Sequence, residues 1–257
     1  MKHLFAFLFL LGITFSLSAQ SVRERILLDD GWQFAFGNAS SPEKDFGCGT
    51  EYFNYLTKAA SIHNEGPYSP KFNPEKWGVD WKTVNLPHDW VVDLPYAKEA
   101  SHSHGYKAVG YKFPENSVGW YRKSITVPQE DLGKHLYLQF DGIFRDARIW
   151  INGFYLGHEP SGYATQVYDI TEYLNYGEEN LICVRADATL EEGWFYEGAG
   201  IYRHVWLNNG AVACSSFRRI CIFHAGSSFR QGCAGDRSAD EEFGKRPRLR
   251  QSMVPSA

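Results

Sequence analysis

The chain is short of several things at once. Its one long apolar run at the start, Leu4 to Phe15, is too short to hold a bilayer as a stable anchor. It has 5 cysteines, an odd number with no Cys-x-x-Cys spacing, which excludes a fully paired disulfide framework and a cysteine zinc site. Cys183 falls in a strand pattern and reads as a small buried hydrophobe. A formal net charge of −4 gives no reason to expect nucleic acid as a partner. Phosphate-binding loops, dinucleotide fingerprints and calcium loops are missing, so no cofactor is expected. No serine sits in a nucleophile elbow, so the neighbours His88 and Asp89 do not read as part of a triad. His102 and His104, taken with His63 and His88, lack a third and fourth ligand at a meaningful spacing, and no metal is expected.

What is present begins with an export pattern. Lys2 and His3 give a basic start, Leu4 to Phe15 an apolar core, and Ser16 to Gln20 small residues for cleavage after Ala19. Residues 1–19 therefore read as a signal peptide, with export to a bacterial periplasm or beyond. The alternative is an uncleaved anchor. No cysteine near the cleavage point supports a lipid anchor.

Residues 20–210 behave as one unit of short strands. Asp30 to Gly37, Trp81 to Leu86, Gly119 to Val127 and His135 to Asp141 read as strands. In the last of these Leu136, Leu138 and Phe140 share one face. Asn152-Gly153 between apolar strands is a strong hairpin signal, because both residues tolerate φ > 0. Asp169 to Glu172 resembles a capping box, with Gly177 ending about two turns of helix. Glu179 to Asp187 is another strand, and Ile201 to Trp206 alternates like a half-buried one. Residues 38–115, rich in Gly, Pro, Asn, Ser and His, read as long loops inserted at one edge of the sandwich. The fold class is all-β, an antiparallel jelly-roll β-sandwich with long loop insertions. Aromatics make up 16% of the chain, which reads first as an aromatic core and second as sugar stacking.

The composition breaks near residue 210. All 8 Trp and all 15 Tyr precede residue 211, while 7 Arg and 1 Lys follow it against 7 Arg and 11 Lys before. Three of the 5 cysteines lie in this tail. Residues 211–257 read as non-native sequence after a frame shift, or as a genuine disordered tail.

Several separate segments resemble the N-terminal sugar-binding domain of family 2 glycoside hydrolases, the β-galactosidase and β-glucuronidase family. They are Leu86-Pro87-His88-Asp89-Trp90, Asn116 to Lys123, Phe140 to Gly153, Gly157 to Tyr163 and Gly193 to Trp206. The resemblance implies a sandwich that sits beside a catalytic (β/α)₈ barrel and binds a β-glycoside or oligosaccharide with it. Asp89 reads as a cap for nearby backbone N–H groups, with Trp90 packing on the sandwich. Asn116 occupies the position from which a polar side chain of this domain reaches the sugar. An amide can donate to and accept from a hydroxyl, and the alternative is plain turn chemistry. Trp194 and Glu197 lie in the loop that approaches the sugar in the family, although Glu197 stands where many relatives have Pro. Glu191, Glu192 and Glu197 form a carboxylate cluster, but a charged, glycine-broken loop more often faces solvent. The resemblance places the acid/base and nucleophile glutamates of a retaining glycosidase on the barrel, so residues 1–257 alone are expected to be inactive. The expected site residues are Asn116, Trp194 and Glu197. A stand-alone carbohydrate-binding module is the rival reading.

Overall fold

The computed structural model describes residues 24–48, 66–191, 193 and 196–210. The expectations for residues 1–19 and 211–257, and those for His63, Glu192 and Trp194, lie outside the described residues.

Among the described residues, β1 (Glu24–Leu27), β10 (Val205–Gly210), β5 (His135–Phe140) and β8 (Gln166–Asp169) form one sheet in that order. A second sheet runs β3 (Lys82–Val84), β2 (Trp32–Phe36), β4 (Val118–Thr126), β9 (Glu179–Asp187), β6 (Ala147–Ile151) and β7 (Phe154–Glu159). All pairings are antiparallel. The two sheets make a β-sandwich around a core that includes Trp32, Phe34, Tyr121, Leu138, Ile149 and Val184. In β5, Leu136, Leu138 and Phe140 are fully buried while His135, Tyr137 and Gln139 stay half-buried, as a period of two requires. The β6–β7 turn has Asn152 at φ 50° and Gly153 at φ 84°, the two positive angles of a type I′ turn.

The six-stranded sheet is covered on both faces. Ala35, Val118, Trp120, Trp150 and Cys183 point away from the main core and meet Phe46, Cys48, Tyr68 and Phe72. Tyr68 stacks on Trp150 at 5.0 Å between centroids, and Trp150 on Trp120 at 5.6 Å. These aromatics serve packing. Burial pushes the Cys48 thiol up to about 11 and raises that of Cys183 as well, so neither is a ready nucleophile. In the same layer the buried Arg185 holds the buried Asp45 at 2.9 Å, and Trp120 Nε1 donates to Asp45 Oδ1 at 2.7 Å. Burial lifts the Asp45 carboxyl above its ordinary range, opposed by the guanidinium and the Trp120 N–H.

The described part of residues 38–115 is therefore more than edge loops, since it lays an apolar cover over the outer sheet face. It also carries a short helix α1 (Pro74–Trp77), started by Asn73 Oδ1 accepting from Glu75 N at 3.0 Å and stopped at Gly78.

Three local expectations change. The helix expected from Asp169 is a single 3-10 turn, Thr171–Tyr173. Asp169 remains in β8 opposite Tyr137, and the Leu136 N–H donates to Thr171 Oγ1 at 3.0 Å, so the sheet holds the residues that would have begun a helix. The last strand starts at Val205, not Ile201, because the Ile201 carbonyl accepts from His88 N at 2.8 Å instead of joining a ladder. Finally, β1 is an edge strand exposed along its whole length, with no periodicity for a pattern to reveal.

Candidate functional site

Two stretches meet at one end of the sandwich, residues 86–117 and residues 189–204. Pro87 follows β3, and the chain turns at Asp89. Its Oδ1 accepts from Val91 N at 3.0 Å, which caps the 3-10 helix Trp90–Asp93, and from Ala199 N at 2.9 Å. Its Oδ2 accepts from the Tyr196 hydroxyl at 3.0 Å. One carboxylate therefore holds both stretches. Trp90 N donates to Ala199 O at 3.1 Å beside it. A Cβ on Gly198 would stand 2.2 Å from Asp89 Oδ2, and one on Gly200 would stand 2.3 Å from the Tyr121 hydroxyl oxygen. Only glycine fits this close approach. The expected roles of Asp89 and Trp90, cap and packing, are both realised, and Trp90 is 2% exposed.

Behind this joint lies a second pair. The Tyr121 hydroxyl and His88 Nδ1 are 2.7 Å apart. Burial lowers the His88 pKa from its ordinary value and holds Tyr121 well above the usual phenol range. A neutral His88 accepting from a neutral Tyr121 hydroxyl satisfies both.

The expected site residues fall in this end of the molecule. Asn116 is half-buried; its Nδ2 donates to Ala108 O at 3.0 Å and its carbonyl accepts from Trp90 Nε1 at 2.9 Å. Its side-chain nitrogen thus secures the loop it sits under. Glu197 is 2% exposed, contrary to the expectation that this loop's carboxylates face solvent. Its Oε1 accepts from Gly193 N at 3.2 Å, which ties these two residues together. Its N–H donates to Ser103 O at 2.7 Å, and its carbonyl lies 2.7 Å from His104 Nδ1. Asn116 and Glu197 are thus brought onto the same 103–108 segment. Trp194 lies between Gly193 and Glu197, outside the described residues.

The histidines go separate ways. His104 serves Glu197, His88 serves Tyr121, and His102 is exposed. Because His104 Nδ1 donates to a carbonyl, its Nε2 is left as the acceptor. Among the described residues neither that atom nor the Ser103 hydroxyl, both buried, has a hydrogen-bond partner.

Sequence reasoning missed the cleft that these loops enclose. It measures about 510 Å³, and Glu99, Ser101, Tyr111, Lys112, Thr189 and Glu191 are among its lining residues. Its wall at Gly110 and Phe113 is fixed by Ser117, whose Oγ accepts from Gly110 N at 2.9 Å and lies 2.6 Å from Phe113 O. Glu191 carried the only sequence signal, as part of a carboxylate cluster. Its partners across the cleft are about 80 to 90 residues away in the chain, beyond the reach of any local pattern.

Comparison with known proteins agrees with this architecture. The family model described as the sugar-binding domain of the family 2 glycosyl hydrolases matches residues 74–210. The chain is 39% identical over 130 residues to the β-galactosidase BoGH2A of Bacteroides ovatus, covering 50% of this chain and 15% of that protein. It is 38% identical over 141 residues to a putative β-glucuronidase of Formosa agariphila, covering 54% of this chain and 13% of that protein. A solved family 2 member from Bacteroides cellulosilyticus superposes with a TM-score of 0.54 at 26% identity, covering 73% of this chain and 20% of that one. The chain thus spans less than a quarter of each relative. On these matches it belongs to glycoside hydrolase family 2, and residues 74–210 are a sugar-binding domain of that family.

Proposed function

We propose that residues 20–210 act as the saccharide-binding domain of an exported β-galactosidase-type enzyme that hydrolyses the O-glycosyl bond of a terminal β-glycoside. The observation that carries the reading is the 39% identity to a β-galactosidase over 130 residues, beside a family match at 74–210 that contains the pinned loop end. Retaining hydrolysis needs an acid/base and a nucleophile about 5 Å apart across the scissile bond. Those two carboxyl groups belong to a barrel outside residues 1–257, and the domain's part is to present Asn116 and residues 193–197 to the sugar. Glu197 contributes by holding Gly193, the residue before Trp194, through its carboxylate. The signal peptide directs the protein out of the cytoplasm, and the tail after residue 210 is a frame-shifted stretch.

The test is the DNA of the locus, read past codon 210 in all three frames. A second frame that encodes a barrel with two glutamates is the expected result. The repaired enzyme should cleave an aryl β-galactoside, and Asn116→Ala should lower kcat/KM by about tenfold or more, the effect of losing a hydrogen bond to the reacting sugar. If no frame continues into a barrel, the proposed parent enzyme is ruled out.

A further inference from the structure

We infer that the cleft between residues 99–113 and 189–191 is a saccharide subsite belonging to this domain itself, and that it takes neutral pyranosides in preference to uronic acids. The inference rests on the family reading above, and it adds a place and a selectivity that no resemblance supplies.

The size is right. Pockets for small ligands run from about 300 to 1,000 Å³, and this one measures about 510 Å³. The wall is pre-formed, because Ser117 and Asn116 hold Gly110, Phe113 and Ala108 from below. A fixed wall loses little freedom when a ligand binds. The lining is that of a sugar site. Tyr111 lines the cleft and is 83% exposed, so its ring is available to stack on the C–H face of a pyranose. Ser101 and Thr189 carry hydroxyls, and Glu99 and Glu191 carry carboxylates that accept from sugar hydroxyls in charge-assisted hydrogen bonds.

The charge sets the preference. Among the described residues two carboxylates and one ammonium group line the cleft, and no arginine does. Lys112, whose Nζ donates to the Glu99 carbonyl at 3.2 Å, keeps its charge, so the carboxylates outnumber it by one. A uronate entering here meets two like charges and lacks the guanidinium fork that carboxylate recognition favours. A neutral galactoside meets acceptors for its hydroxyls and no repulsion.

The experiment uses the full 257-residue chain, labelled with nitrogen-15 and titrated with methyl β-galactoside and, separately, methyl β-glucuronide. The expected result is saturable shifts of the Gly110–Lys112 and Thr189–Glu191 amides with the galactoside, and binding weaker by about fivefold with the glucuronide. Glu191→Gln, at an exposed position, should bring the two ligands to within about twofold of each other. Tyr111→Ala should weaken both by about tenfold. No saturable shift at these amides with either sugar, or a glucuronide that binds as tightly as the galactoside, overturns the inference. A silent cleft in a chain whose repaired gene still yields a β-galactosidase removes the subsite and leaves the enzyme. A binding cleft with no barrel in any frame does the reverse.

Discussion

Two regions outside the central sandwich are held in opposite ways. The cover over the outer face of the six-stranded sheet is an aromatic layer with the buried Arg185–Asp45 ion pair in it, and its side chains are turned inward. The loop end is held by carboxylates that accept from backbone N–H groups, Asp89 across two stretches and Glu197 from Gly193. That second arrangement leaves side chains such as Tyr111, Tyr196 and Glu191 exposed. Apolar burial fixes a layer by hiding it. Hydrogen bonding through a few buried acceptors fixes a loop and keeps its surface available, which is what a binding end requires.

The contrast can be broken most sharply at the ion pair. Asp45→Ala leaves the buried Arg185 with only the more exposed Asp187 as a partner, at 3.2 Å, and should cost about 3 kcal/mol, read as a lower urea midpoint. Replacing both, Asp45→Leu with Arg185→Met, should recover part of that loss, with the Trp120 and Asn38 N–H groups left without their acceptor. A single variant as stable as the parent protein would show that the pair does not hold the cover.

The loop end should respond less in stability and more in binding. Gly198→Ala drives a methyl group against the Asp89 carboxylate and should cost about 1–3 kcal/mol, with loss of the galactoside-dependent shifts. Asp89→Asn keeps one acceptor oxygen and should cost about 1 kcal/mol, with binding weakened but measurable. If Gly198→Ala left both stability and the galactoside response unchanged, the joint would not be what positions the loop.

The smallest expected effect is a pH dependence behind the joint. The folded-state pKa of His88 is depressed, so its contribution to stability is complete above the unfolded value of about 6.5. It is lost as pH falls from there through the folded value, because the unfolded chain then binds the extra proton. The urea midpoint should therefore drop as pH is lowered from neutral toward 5, and His88→Asn should flatten the slope. A slope identical in the variant would place the acid sensitivity elsewhere.

Local chemistry made much of the sandwich legible. The Asn152-Gly153 turn, the alternation in β5 and the long β9 follow from φ preferences and the period of two. What failed were places where a tertiary partner outbid a local signal: Thr171, taken by the Leu136 N–H, and Ile201, taken by His88. β1 carried no pattern because an exposed edge strand needs none. At the candidate site, resemblance singled out Asn116 and Glu197, which the fold brings onto one segment, and capping chemistry singled out Asp89. The reach of Asp89 to Ala199, 110 residues on, and the walls of the cleft were not. Such closures are decided by the whole fold, and no window of residues contains them.

The order of strands bears on how the chain is made. β10, the last strand of the sandwich, lies between β1, the first, and β5. During synthesis from the N-terminus, β1 has no neighbour in its sheet until Val205–Gly210 leaves the ribosome, and β5 is paired along only one edge, by β8. Closure of that sheet is thus deferred to the end of translation of the domain, and this interval is when a nascent chain has most need of a chaperone.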